Sequence, residues 1–211
     1  MLPAPSVALP GAPPGAPPVA PTLLPTVATP RARRALRALE RLLAVYGLAA
    51  LVHAACFGVC EVVSGSMAPT LVGQGPGSPG NDWVLYERVT PGWLKPTRDA
   101  LVLFRGEDGV TIVKRVAAFG GERVAVEDGE LAIDGARRPR PAGVARYLPM
   151  GHLRPRAGQA PWQVPAGELL VLGDDQRDSW DGRFFGGLAP ARIEGRAVAV
   201  VWPPSRWRWL W

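Results

Sequence analysis

The sequence predicts a mainly β protein: an antiparallel β-sheet domain preceded by one N-terminal transmembrane helix. Three observations carry this. Leu42–Cys60 is the only long apolar stretch. From Val62 to Pro203, short runs rich in Val, Ile and Leu alternate with Gly, Pro and Asp, and no convincing amphipathic helix intervenes. Asp128-Gly129 separates two of those runs, and two-residue type I′ turns need positive φ at both positions, which this dipeptide tolerates. With 211 residues, 47% of them apolar, the chain can bury one ordinary core and still carry appendages.

Taken in order, Met1–Pro30 is rich in Pro, Ala, Gly, Val and Leu and has no charged side chain, a composition that favours extended or disordered tail over a packed element. Residues 31–41 carry five arginines and one glutamate and read as a basic juxtamembrane segment. Leu42–Cys60 then runs nineteen residues without a formal charge. As a helix it would be ~28 Å long, against a hydrocarbon core of ~30 Å, so it is expected to span. A cleaved secretory signal has the same ingredients, but this run is longer than a usual signal core and begins some forty residues in, which favours a retained anchor. Arginines before the span and Glu61 after it place the N-terminus in the cytoplasm and Val62 onward on the outer, periplasmic face of the cell membrane.

Residues 61–203 form the predicted β-rich domain. Its strand candidates are Trp83–Val89, Ala100–Arg105, Thr111–Ala117, Arg123–Val126, Leu131–Ile133, Glu168–Leu172 and Gly195–Trp202. Residues 135–165, rich in Arg, Pro and Gly, read as an irregular insertion. Gly75–Gly80 formally matches a dinucleotide-binding fingerprint, but it holds two prolines and no helix follows, so it is read as a loop. Residues 204–211 mix Trp and Arg, as either an interfacial anchor or a C-terminal packing strand would.

The net charge of +6 comes almost wholly from arginine. Nucleic acid is the reflex partner of such a chain. There is no helix-turn-helix pattern, no zinc-ligand spacing and no aromatic-interleaved basic strand, so none is expected. Cys56 and Cys60 lie in the apolar run, and the two histidines, His53 and His152, are far apart, so neither a metal site nor any cofactor is predicted.

The chemistry-bearing stretch is Val62–Leu71. If Val62–Ser66 is extended, Ser64 and Ser66 point to the same side; Gly65 permits close backbone approach and Pro69 bars Ala68 from helical geometry. A serine hydroxyl needs a base. The histidines are poorly placed, and only two lysines occur, Lys95 in a turn and Lys114 at the end of the β-rich run Val110–Val113. Burial there would bring the Lys114 amine from its ordinary ~10.4 to near 8, a cost of roughly 3 kcal/mol. Arginine cannot lose its proton in this way. The third piece is the polar loop Gly173–Arg183, in which Ser179 would orient the amine by hydrogen bonding while Asp181 and Arg183 pair to brace the loop. Its four aspartates do not follow the spacing of a calcium loop.

Ser64-Gly-Ser-Met-Ala-Pro-Thr-Leu71, Asp82-Trp-Val-Leu-Tyr86, Lys114-Arg-Val-Ala-Ala-Phe-Gly-Gly-Glu122 and Gly173–Gly186 together resemble, in order, the motifs of the type I signal peptidases, membrane-anchored endopeptidases with a Ser/Lys dyad. The resemblance covers about Leu42 to Arg206. It implies Ser66 as nucleophile, Lys114 as general base, Ser64 and the Ser66 N–H as oxyanion donors, and Ser179, Asp181 and Arg183 as supporting residues. It also implies that Met67 lies near the substrate pocket and the membrane surface, and that substrate adds as a strand along Val110 and Ile112. The partners it implies are exported preproteins with signal peptides cut after small residues, membrane lipids and a nearby secretion translocon. Gly120, Glu122, Asp175 and Gly182 depart from the family pattern, at supporting positions. Two rival readings are a self-cleaving Ser/Lys repressor, which would need a DNA-binding segment, and a non-catalytic membrane-tethered β module.

Overall fold

The computed structural model describes residues 29–89, 96–149 and 161–210. Of the predicted tail Met1–Pro30, residues 1–28 lie outside them, as does the Lys95 turn, and Pro30 already opens a helix. The chain divides into two units, Met1–Tyr46 and Gly47–Trp211. The described part of the first is the start of helix α1 (Pro30–Cys56), whose residues are all unburied.

The second unit is built on two antiparallel sheets. Its strands are β1 (Phe57–Glu61), β2 (Trp83–Glu87), β3 (Leu101–Arg105), β4 (Thr111–Phe119), β5 (Arg123–Glu127), β6 (Glu130–Ile133), β7 (Ala136–Arg138), β8 (Trp162–Gln163), β9 (Leu169–Leu172), β10 (Ile193–Trp202) and β11 (Arg208–Trp209). The large sheet runs β1-β2-β10-β3-β4-β9, with β11 also on β10, and the small one runs β7-β6-β5-β8. A one-turn helix, α2 (Gly182–Phe185), follows β9.

The period of two sorts β3 between two cores. Leu101 and Leu103 join Val62, Met67, Leu71, Val84 and Val200 on one face, while Val102 and Phe104 join Val116, Val171 and Leu188 on the other. Burial of β3 on both faces explains its unbroken run Leu-Val-Leu-Phe. A third cluster, including Val124, Leu131, Val164 and Leu170, packs strands of the small sheet with β9 of the large one. At the β5–β6 turn Asp128 and Gly129 have φ of 53° and 81°, the type I′ geometry expected of Asp-Gly.

The apolar run does not stay helical to Cys60. Helix α1 stops at Cys56, and Phe57–Glu61 pairs with β2 from Phe57↔Glu87 to Glu61↔Trp83. Pairing completes the edge of β2, which a helix could not do. Bounded by Arg41 and by this strand, the apolar helical portion is fifteen residues, ~22 Å long. Among the described residues no helix is long and apolar enough to cross a membrane. The insertion carries two short edge strands, β7 and β8, and residues 150–160 within it lie outside the described part. In the C-terminal stretch Pro204–Arg206 forms a 3₁₀ turn, and Arg208 and Trp209 then pair with Val200 and Ala199.

Candidate active site

The approach to Ser66 is held on both sides. Val62 N–H donates to Asp82 O at 2.8 Å and Gly75 N–H to Val63 O at 3.0 Å. Asp82 is fixed in turn by Arg206, through Nε–Oδ1 at 2.7 Å and Nη2–Oδ2 at 3.0 Å. Ser64 is extended (φ −123°, ψ 154°), but Gly65–Met67 turns into a 3₁₀ helix, so the two serines are not successive positions of one strand. Their hydroxyls still meet, Oγ to Oγ at 3.2 Å. The backbone N–H groups at the start of such a turn have no partner within it, which leaves the Ser66 N–H available as a donor.

Met67 departs from expectation. It is 1% exposed and packs with Val62, Leu71 and Val84, so it forms core and cannot touch lipid.

Lys114 reaches the serine from β4, where it pairs with Val102 of β3. It is 3% exposed, and its Nζ donates to Ser66 Oγ at 2.6 Å. Burial pushes its pKa down to about 8; the nearby carboxylates of Asp181, Asp174 and Asp178 oppose that shift, and Arg183 adds to it. β9 pairs with β4 only from Arg115 onward, so opposite β3 the Thr111–Lys114 edge has no strand partner among the described residues. Val110, 53% exposed, precedes this edge, whereas Ile112 packs against the Val102–Phe104 cluster.

Asp181 organises the polar loop. Its Oδ2 accepts from Gly173 N–H at 2.9 Å and Ser179 Oγ–H at 2.8 Å, and its Oδ1 accepts from Arg183 Nε at 2.8 Å. Arg183 also donates to the Gln176 carbonyl at 2.8 Å. The predicted Asp181–Arg183 pair is therefore present, but the Ser179 hydroxyl donates to Asp181, and the hydrogen bond of Lys114 goes to Ser66. Gly173 lets the loop close on Ser66: a Cβ there would stand 2.2 Å from Ser179 Oγ and 2.7 Å from Ser66 O. Asp175 N–H donates to that same Ser66 carbonyl at 3.1 Å.

Sequence reasoning missed a second pair. Arg115 grips Asp174 with Nε at 2.8 Å and Nη2 at 2.6 Å. The available signal was alternation: a residue next to Lys114 on β4 must point to the opposite side, where an arginine needs a carboxylate.

The assembled groups are a hydroxyl, a buried amine poised to be neutral near pH 8, and two donors beside the hydroxyl. This is the equipment of nucleophilic acyl transfer, in which a base removes the serine proton and fixed donors hold the oxyanion.

Comparison with known proteins identifies the family. The family model described as signal peptidase, peptidase S26, matches residues 35–202. The chain is 29% identical over 156 residues to signal peptidase I of Leptolyngbya laminosa, covering 69% of this chain and 68% of that one. It is 31% identical over 156 residues to the probable thylakoidal processing peptidase 2, chloroplastic, of Arabidopsis thaliana, covering 69% of this chain and 38% of the relative. A crystal structure of a signal peptidase I from Enterococcus faecalis V583 matches with a TM-score of 0.40 at 28% identity, over 48% of this chain and 96% of that one. With the family model spanning the sheet domain from before β1 to the end of β10, the chain belongs to the signal peptidase family, peptidase S26.

Proposed function

We propose that the chain cleaves signal peptides from exported preproteins after small residues of the Ala-X-Ala type, using a Ser66/Lys114 dyad. The observation that carries this reading is the 2.6 Å contact between the Lys114 amine and the Ser66 hydroxyl at a buried position. In the reaction, Ser66 Oγ bonds to the scissile carbonyl carbon while neutral Lys114 takes its proton. Ser64 Oγ–H and Ser66 N–H hold the oxyanion, each donor worth roughly 3 kcal/mol in such sites. The C–N bond then breaks, with Lys114 passing its proton to the departing amine, and an ester remains on Ser66. Water attacks the ester, Lys114 takes the water proton and returns it to Ser66, and the signal peptide leaves with a new carboxylate. Ser179, Asp181 and Arg183 position the loop around Lys114. Substrate adds as a strand to the unpaired Thr111–Lys114 edge, entering past Val110 and Ile112.

Membrane attachment falls to α1, beside the translocon that delivers the substrate. Its unburied Leu42, Leu43, Val45, Leu48 and Leu51 and its N-terminal arginines support this assignment. The test is cleavage of a preprotein by the purified full chain and by its Ser66→Ala and Lys114→Met variants. Loss in both is expected; processing at the native rate by either one sinks the dyad.

A further inference from the structure

The β10 edge facing away from β2 is shared by two strands. β3 pairs with Ile193–Arg196 and β11 with Ala199–Val200. A cavity of about 540 Å³ is lined by the start of β3, by β11 and by Pro141–Gly143 of the insertion. That volume is within the ~300–1,000 Å³ usual for small-ligand sites. Ser64, Ser66 and Lys114 take no part in its lining.

Its charge is one-sided. Arg98, Arg115, Arg196, Arg206 and Arg208 line it, against Asp99 as the one acid. Four of these arginines are held by carboxylates: Arg98 by Glu122 at 2.6 Å, Arg115 by Asp174 at 2.6 Å, Arg196 by Glu87 at 3.2 Å and Arg206 by Asp82 at 2.7 Å. Arg208 is held more loosely. Its Nη groups donate to the carbonyls of Arg206 and Thr70, and its nearest carboxylate, Asp82, is 3.9 Å away and already bonded by Arg206 and the Val72 N–H. Burial first, and then the charge of Arg206, push the Arg208 guanidinium below its ordinary value. Arg196 commits only its Nε, to Glu87.

The two carbonyls take two of Arg208's five N–H donors and do not neutralise its charge. Preoriented guanidinium forks match the geometry of phosphate oxygens, to which charge-assisted bonds are short and strong. Pro69, Leu101, Ala197 and Leu210 add apolar wall beside the arginines, suited to the carbon part of a phosphoester. We propose that this cavity binds a phosphoester anion through Arg196 and Arg208. The same chemistry is offered by a soluble phosphoester and by a phospholipid headgroup, and the exposed Trp202 and Trp207 on the same C-terminal stretch would suit the latter.

The experiment is calorimetric titration of the purified full chain with glycerol 3-phosphate, at ionic strength held constant with chloride, together with flotation on phosphatidylglycerol and on phosphatidylcholine vesicles. Two variants attack the site differently: Arg196→Gln removes a donor, and Ala142→Asp sets a carboxylate on an exposed position of the cavity wall. Saturable binding weakened about tenfold or more in each variant is expected, with the unfolding midpoint and peptide cleavage of Ala142→Asp unchanged. Flotation that requires phosphatidylglycerol and falls in both variants identifies the headgroup as the source. Flotation indifferent to the variants identifies a soluble phosphoester. Absence of saturable glycerol 3-phosphate binding, or equal binding by the native chain and both variants, overturns the proposal.

Discussion

Lys114 Nζ touches Ser66 Oγ at 2.6 Å, and the two carboxylates that weigh most on that amine are both gripped by arginines, Asp181 by Arg183 and Asp174 by Arg115. This division of partners decides the chemistry. A carboxylate free to pair with Lys114 would favour the ammonium and leave the serine without a base. By engaging both acids, the arginines let burial dominate, and the amine comes down to about 8. Among the described residues, Lys114 is the basic side chain that bonds the hydroxyl.

The pH profile follows directly. In the proposed dyad the base is the unprotonated amine, so kcat/KM for a peptide substrate should rise with pH through about 8 and level off above it. Initial rates from pH 6 to 10 check this, and a rate already flat across pH 7 to 9 contradicts it.

Arg115→Gln separates the arginine's electrostatic part from a merely structural one. Freeing Asp174, whose side chain is 1% exposed, puts an unpaired negative charge near Lys114. The midpoint of the rate profile should then move upward by about one pH unit, while stability falls by about 3–5 kcal/mol, as for other broken buried pairs. Rate profiles at low temperature, where the variant is still folded, provide the measurement.

Lys114→Met should abolish cleavage and yet stabilise the protein. The folded amine at about 8 lies below its ordinary 10.5, so the unfolded chain binds more protons between those values and stability rises with pH through that window. Below about 8 the full burden of the buried amine is present, roughly 3 kcal/mol. Methionine removes it, so urea unfolding should show the variant more stable by up to ~3 kcal/mol at pH 7, with the difference gone above pH ~10.5. A variant less stable than the parent at pH 7 argues against a buried amine with a lowered pKa.

How far the sequence shows this site depends on the range of each interaction. Ser66 and Lys114 were legible because their residue types are chemically exclusive, a lysine where an arginine-rich chain would otherwise place arginine. Strands such as Leu101–Arg105 and the Asp128-Gly129 turn announce themselves through local pattern. Phe57–Glu61 did not, since a short apolar run suits a buried strand as well as the end of a helix, and only pairing with β2 some twenty-five residues later decides it. The same holds for Arg115 with Asp174, fifty-nine residues apart, and for Met67, whose burial depends on Val84 and Val200.

Gly173→Ala tests the closure of the loop on the nucleophile. The added methyl would stand 2.2 Å from Ser179 Oγ and 2.7 Å from Ser66 O, so either the loop or the serine must move. A displacement of about 1 Å at a reacting centre costs on the order of 10²-fold in rate. kcat should therefore drop by about that factor, with the far-ultraviolet spectrum of the sheets unchanged.

Ser64→Ala isolates oxyanion stabilisation from fold. Ser64 is exposed, and its one described side-chain bond is the 3.2 Å contact with Ser66 Oγ, so the change should leave the unfolding midpoint within a degree or two. Loss of an oxyanion donor lowers kcat by about 10²–10³ with little change in KM, because the bond strengthens only as negative charge develops on the carbonyl oxygen. Threonine retains a hydroxyl at the same place and should recover most of the rate. If alanine and threonine lose activity equally, Ser64 acts by packing around Ser66, and the backbone N–H of Ser66 holds the oxyanion without it.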